Sequence, residues 1–147
     1  MSITVRISQE TDAEAMANIE KDSFSMPWSV NAFQDAIKSQ NYIYLTALKD
    51  NEVVGYAGCT VAGDEGDITN IAVTKSLRCC GIGEKLLMQL LEYADKTGLK
   101  QIFLEVRKSN QAAQSLYTKA GFEMIGMRKN FYQKPIEDAC MMKYVLN

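Results

Sequence analysis

Hydrophobic positions along this chain switch between two periods. A repeat of two reads as strand, and a repeat of three or four reads as helix. Residues 2–7 alternate and predict a first strand. Over residues 12–24, Ala15, Met16 and Ile19 share a helical face, with Thr11 placed to cap it. Pro27-Trp28 breaks that pattern. Ser29 then caps a second helix to residue 39, with Val30, Phe33 and Ile37 on one side. Residues 42–48 and 53–61 read as strands joined by Asp50-Asn51, a hairpin signal. Residues 63–66 turn the chain into a strand ending at Val73. A stripe of Ile82, Leu86, Leu87, Leu90, Leu91 and Ala94 marks a long amphipathic helix over 82–96, with Gly98 as its C-terminal cap. A buried strand follows over 101–106, then a short helix over 112–120 ended by Gly121. Residues 122–127 and 140–145 supply the last strands. The order β-α-α-β-β-β-α-β-α-β-β is mixed α/β. Without repeats or a linker, residues 1–147 are expected to form one domain.

The run Arg78-Cys79-Cys80-Gly81-Ile82-Gly83 joins the apolar stretch 68–73 to the long helix. A strand, a glycine loop and a helix start together build an anion site. The first-turn N–H groups lack helical partners, and the helix dipole favours negative charge there. Gly81 and Gly83 let the backbone approach such an anion closely. The loop therefore reads as a phosphate or pyrophosphate binder. It is not a P-loop, because Glu84 and Lys85 stand where Lys and Ser/Thr belong. A Rossmann fingerprint needs a third small residue where Leu86 lies, although Glu105 falls near the place of a ribose-binding acid. A Rossmann loop also follows the first strand, whereas this one lies halfway along the chain.

The remaining pattern, Arg/Gln-x-x-Gly-x-Gly/Ala, resembles the acetyl-CoA loop of the GNAT superfamily of N-acetyltransferases. Asn70-Ile71-Ala72-Val73 precedes it at the family's spacing, and Leu104-Glu105-Val106-Arg107, Ser109-Asn110, Ser115-Leu116-Tyr117 and Gly121-Phe122 follow in order. Pro27-Trp28-Ser29, Arg128-Lys129-Asn130-Phe131-Tyr132 and Glu137-Asp138-Ala139 fit as well. The set is most similar to the RimI subgroup, ribosomal-protein-alanine N-acetyltransferases. The resemblance implies a splayed, mostly antiparallel central sheet flanked by helices, with acetyl-CoA as co-substrate and no metal. It implies cofactor contacts from Ile71, Ala72, Val73, Arg78, Cys79, Cys80, Gly81, Ile82, Gly83, Glu84 and Asn110. The cysteines at 79 and 80 depart from the polar or basic residues usual at these positions, so phosphate binding is expected from backbone amides there.

Acetyl transfer to an amine needs a proton acceptor, a stabilised carbonyl oxygen and a route out for the thiolate. An α-amine of pKa ~8 gives up its proton at neutral pH for only ~1–1.5 kcal/mol, so a weak base suffices. The resemblance assigns that base to Glu105, acting through water, against the plain reading of a surface carboxylate at a strand end. It makes Tyr117 either the acid for the CoA sulfur or a hydrogen-bond donor to it, against the plain reading of a packing aromatic. Asn110 reads as a helix cap that also touches cofactor, and Arg78 as a partner for a phosphate oxygen. Glu14, Glu20, Asp22, Asp64, Glu65 and Asp67 could give an acidic rim, against the plain reading of a solvated face, and Trp28 reads as a core anchor or a wall of a peptide groove.

Composition removes competing chemistries. The chain has no histidine, which excludes Ser-His-Asp and Cys-His hydrolases and a His-ligated zinc. Cys59, Cys79, Cys80 and Cys140 lack zinc spacing and are expected to be free thiols. A net charge of −2 argues against a nucleic-acid-binding face. No apolar run has the length of a membrane span, and the N-terminus lacks a signal peptide's apolar core, so a cytoplasmic protein is expected. The expected acceptor is a protein N-terminal α-amine, with a ribosomal protein as partner and a monomeric enzyme. A small-molecule amine acceptor and a non-catalytic CoA-binding sensor are the competing readings.

Overall fold

The structure, a computed structural model, describes residues 2–146. Its strands are β1 (Ile3–Ile7), β2 (Tyr42–Lys49), β3 (Glu52–Thr60), β4 (Glu65–Val73), β5 (Gln101–Arg107), β6 (Glu123–Tyr132) and β7 (Glu137–Val145). Its helices are α1 (Ala13–Ser23), α2 (Val30–Lys38), α3 (Ile82–Lys96) and α4 (Gln111–Ala120). The strands form one seven-stranded sheet in the order β1-β2-β3-β4-β5-β7-β6. Every neighbouring pair is antiparallel except β4 and β5, which run parallel. The mixed architecture and the mostly antiparallel sheet expected from the sequence are thus present.

Strand alternation divides the core between two faces. Ile43, Leu45 and Ala47 of β2 point to the α3 side, where they meet Leu86, Leu87 and Leu90 and the even-numbered residues Ile102, Leu104 and Val106 of β5. Tyr44 and Tyr56 point the other way, into a smaller core closed by Met16, Ile19, Phe33 and Ala36 of α1 and α2. The Asp50-Asn51 turn takes positive φ at both residues (52° and 66°), which suits a tight hairpin. Gly98 and Gly121 end α3 and α4 at φ 90° and 112°. Among the described residues, no helix is long and apolar enough to cross a membrane.

Two expectations are corrected. Thr11 does not cap the first helix. The chain enters α1 through a 3-10 turn, Glu10–Asp12, and buried Asp12 organises that entry. Its carboxylate accepts from Gln9 N at 2.7 Å and forms an ion pair with Arg6 at 2.7 Å. The sixth strand also runs beyond residue 127 to Tyr132. Both of its faces are largely exposed and two register shifts interrupt its pairing, so no hydrophobic alternation marks it in the sequence.

Gly58 on β3 holds the smaller core in shape. A Cβ there would lie 2.1 Å from the ring of Tyr44, which is buried. Gly58→Ala should destabilise the protein by ~1–3 kcal/mol or more through overpacking, read as a lower denaturation midpoint. A variant as stable as the parent would mean that the Tyr44 ring moves aside freely.

Candidate active site

The parallel pairing of β4 and β5 is brief. Glu65, Gly66 and Asp67 pair with Gln101, Ile102 and Phe103, and the strands then diverge. A register shift on the β3 side coincides with the divergence: Gly58 pairs with Asn70 but Cys59 with Ile68, leaving Thr69 as a bulge. Beyond it, β4 is paired only with β3. Thr74 N–H donates to Val54 O at 2.8 Å. Antiparallel alternation then turns the N–H groups of Ile71 and Val73 towards the opening, and that of Ala72 towards β3. The opening is a cleft of about 500 Å³.

The anion loop stands beside Val73. Gly81 caps α3 at φ 84°, a conformation that favours glycine. Lys85 N–H donates to Gly81 O at 3.1 Å, so the N–H groups of Ile82, Gly83 and Glu84 are the first-turn donors without helical acceptors. Packing does not demand glycine at 83, since a Cβ would meet nothing nearer than Leu116 Cδ2 at 3.8 Å. A Cβ at 83 would sit in ordinary contact with the side chains of Leu116 and Val73, which places the helix start beside the end of β4. Arg78 braces the loop, donating from Nε to Val73 O at 3.2 Å and from Nη2 to Ser23 Oγ at 3.0 Å. Cys79 takes φ 63°, and both it and Cys80 are exposed free thiols, as expected. The Glu84 carboxylate pairs with Lys119 at 3.2 Å.

Glu105 and Tyr117 both line this cleft. Glu105 lies on the odd-numbered side of β5, and Tyr117 enters from α4 on the other side. Burial, reinforced by nearby Asp67 and opposed by Arg128, raises the Glu105 pKa above the ordinary carboxylate value. Burial also pushes the Tyr117 phenol above its ordinary value, with Tyr132 adding to the effect. Tyr132, on the lip above them, is pushed up to about 12 by burial and by Glu105. Asn110 is a helix cap, its Oδ1 accepting from Ala113 N at 3.0 Å, and it also lines the cleft. Trp28 is a core anchor that also borders the cleft. Its ring packs on Phe33 at 5.3 Å and forms part of the cleft wall.

The sequence matches the acetyltransferase (GNAT) family over residues 13–122. The chain belongs to the GNAT acetyltransferase family. It is an acetyl-transferring enzyme. It is 35% identical to the [ribosomal protein bS18]-alanine N-acetyltransferase of Haemophilus influenzae, over 92% of this chain and 90% of that protein. The counterpart in Escherichia coli is 32% identical, over 95% of both chains. The crystal structure of the E. coli ribosomal-protein-S18-alanine N-acetyltransferase superimposes with a TM-score of 0.91 at 30% identity, covering 99% of this chain and 95% of that one.

Two cleft residues of this acetyltransferase were not legible from its sequence. Arg107 donates to Gln133 O at 2.9 Å and Pro135 O at 3.0 Å, pairs with Glu137 at 3.2 Å, and lies over the Tyr132 ring at 4.5 Å. It thereby fastens the β6–β7 loop over the cleft. The family motif contains this arginine, but only the fold brings its partners to it. Glu20 is the second. Instead of joining a solvated acidic face, it is buried beneath Trp28.

The raised pKa of Glu105 has a stability consequence. A carboxyl whose folded-state pKa exceeds its unfolded value contributes stability that is complete below the unfolded pKa and is lost as pH rises through the folded one. Glu105→Gln, neutral throughout, should therefore gain Tm relative to the parent as pH is raised from about 4 to 7. A difference that stays flat across this range would show that the carboxylate is not desolvated.

Proposed function

We propose that this enzyme moves an acetyl group from acetyl-CoA to the N-terminal α-amine of a protein, in the cytoplasm, with an alanine-initiated ribosomal protein as acceptor. The observation that carries this reading is the presence of Glu105 and Tyr117 in one cleft that borders the unpaired edge of β4. The names of the relatives, which modify the alanine terminus of ribosomal protein bS18, support the choice of acceptor.

The residues present fit acetyl-CoA. The N–H groups of Ile71 and Val73 would offer donors on an unpaired strand edge to the pantetheine arm, the Val73 carbonyl being taken by Arg78, and unpaired backbone groups favour a ligand that completes the ladder. The N–H groups of Ile82, Gly83 and Glu84 receive its pyrophosphate at the start of α3, with Arg78 and the Cys79-Cys80 backbone alongside. Acetyl-CoA supplies an activated acetyl thioester. Glu105 takes up the proton that the acceptor ammonium must lose, through an intervening water. Its raised pKa narrows the gap to an α-amine of pKa ~8, which makes it a better base than an ordinary carboxylate. As the C–N bond forms and the C–S bond breaks, Tyr117 would keep its proton and donate a hydrogen bond to the sulfur, which would leave as a thiolate. Burial makes complete transfer from the phenol costlier. The second proton of the attacking nitrogen would pass to solvent. The acceptor peptide passes between the Trp28 loop and the Phe131-Tyr132 lip. Arg107 holds that lip in place.

Saturating acetyl-CoA should raise the melting temperature, since a ligand at a hundredfold excess over Kd adds ~2.7 kcal/mol to the native state. Gly83→Val should abolish the shift, because a branched side chain wedged beside Val73 and Leu116 crowds the start of α3. An unchanged Tm for the parent would contradict the acetyl-CoA assignment.

The acceptor is decided by mass spectrometry of an alanine-initiated peptide carrying an internal lysine. At pH 7 an α-amine is neutral a few hundredfold more often than a lysine of pKa ~10.4, so acetyl should appear on the terminus. Glu105→Gln should lower this turnover by ~10²–10⁴-fold while acetyl-CoA still binds. Acetyl on the lysine with the terminus untouched would overturn the α-amine reading.

A further inference from the structure

Glu20 is a buried carboxylate that the proposed chemistry does not use. It lies on α1 with 3% of its surface exposed. Among the described residues, no lysine or arginine forms an ion pair with it. A buried charge without a counter-ion is costly and persists only where hydrogen bonds satisfy it. Here three neutral donors converge on it. Tyr56 O–H of β3 and Asn70 Nδ2 of β4 donate to Oε1, the latter at 3.0 Å. The backbone N–H of Trp28 donates to Oε2 at 3.0 Å.

These three bonds differ in what they fix. Tyr56 and Asn70 belong to the sheet, and Asn70 Oδ1 is itself held by Tyr44 O–H at 2.9 Å. They anchor the carboxylate. Trp28 belongs to the loop between α1 and α2, which carries one wall of the cleft. The Trp28 ring leans on Phe33 and Tyr44, at 5.3 and 6.1 Å, and this fixes one side of it. Its N–H is held by the bond to Glu20, while elsewhere in the loop Ser25 Oγ accepts from Arg107 at 3.5 Å and Ser29 caps α2. The place of Trp28 between those ties therefore depends on the reach of Glu20.

We propose that Glu20 is a positioning residue for the acceptor: its carboxylate suspends the Trp28 wall from the sheet and sets the width of the groove in which the amine-bearing chain lies. The role rests on the acceptor reading above for its link to substrate. The hold on Trp28 itself does not. What matters is an acceptor oxygen at the right reach, and the negative charge is incidental. Glutamine keeps that reach. Its amide oxygen can take the Trp28 N–H, while its NH2 faces Tyr56 and Asn70, which can rotate and flip to receive it. Aspartate keeps the charge and, one methylene shorter, draws back from Trp28.

Trp28 is the sole tryptophan of the chain, so its fluorescence reports the wall directly. Acrylamide quenching should rise at least about twofold in Glu20→Asp, as expected when a buried hydrogen bond that orders a loop is lost. The peptide KM should rise about tenfold, the equivalent of one such bond, with kcat and the acetyl-CoA KM changed by less than about threefold. Glu20→Gln should restore the parent's quenching and recover most of its peptide KM. In a Trp28→Ala background, Glu20→Asp should add little to the peptide KM, since both changes then remove the same wall. The opposite order, aspartate like the parent and glutamine impaired, would assign the role to charge and overturn the proposal. Equal loss of both KM values and kcat would also overturn it, as a general structural defect. If the parent acetylates no peptide, the acceptor reading fails, and the quenching comparison still decides whether Glu20 holds Trp28.

Discussion

Strand β4 keeps only three residue pairs with its parallel neighbour before the two separate. The separation leaves backbone donors at Ile71 and Val73 facing a cleft, where unsatisfied polar groups are expensive. The rest of the site depends on this opening. The start of α3 stands at its head, Glu105 lines one side, and Tyr117 reaches it from the opposite layer. A sheet zipped along the full length of β4 and β5 would have neither a cleft nor an edge to offer a ligand.

Keeping the sheet apart requires polar groups inside the protein, and the fold satisfies them locally. Asn70 sits next to the Thr69 bulge, bonded to Glu20 and Tyr44. Among the described residues, no buried side-chain nitrogen or oxygen lacks a hydrogen-bond partner. A fully satisfied buried network is rigid, whereas a partly satisfied one costs more than an apolar core. Through Glu20 the same network also reaches the backbone N–H of Trp28. Arg107 performs a similar task at the other lip with carbonyls, a carboxylate and an aromatic face.

Local signals were legible where the chain answers to itself. The stripe from Ile82 to Ala94 gives α3 with its full bounds, and Gly98, Gly121 and Asp50-Asn51 occupy the backbone conformations their types favour. Ser29 caps α2 as its position suggests. The glycine loop and the residues that follow it carried the family resemblance, and with it Glu105 and Tyr117. What stayed hidden depends on partners far away in the chain. Glu20 reads as a surface acid until the fold brings it Tyr56 and Asn70, 36 and 50 residues on. Arg107 finds its acceptors 26 to 30 residues later. Thr11 is the exception, displaced by local ties: Gln9 and Asp12 form the capping box at the 3-10 turn, and Arg6 pairs with Asp12 six residues on. β6 lacks alternation because neither face is covered.

The central claim is that the open edge of β4 and the start of α3 together hold the acetyl donor. Amide hydrogen exchange in the presence and absence of acetyl-CoA tests it at the atoms concerned. The account predicts that acetyl-CoA slows exchange at Ile71 and Val73 and at Ile82, Gly83 and Glu84, while Ala72, already turned to β3, changes little. Binding that leaves the Ile71 and Val73 amides as labile as before, or that protects only the α3 start, would contradict it.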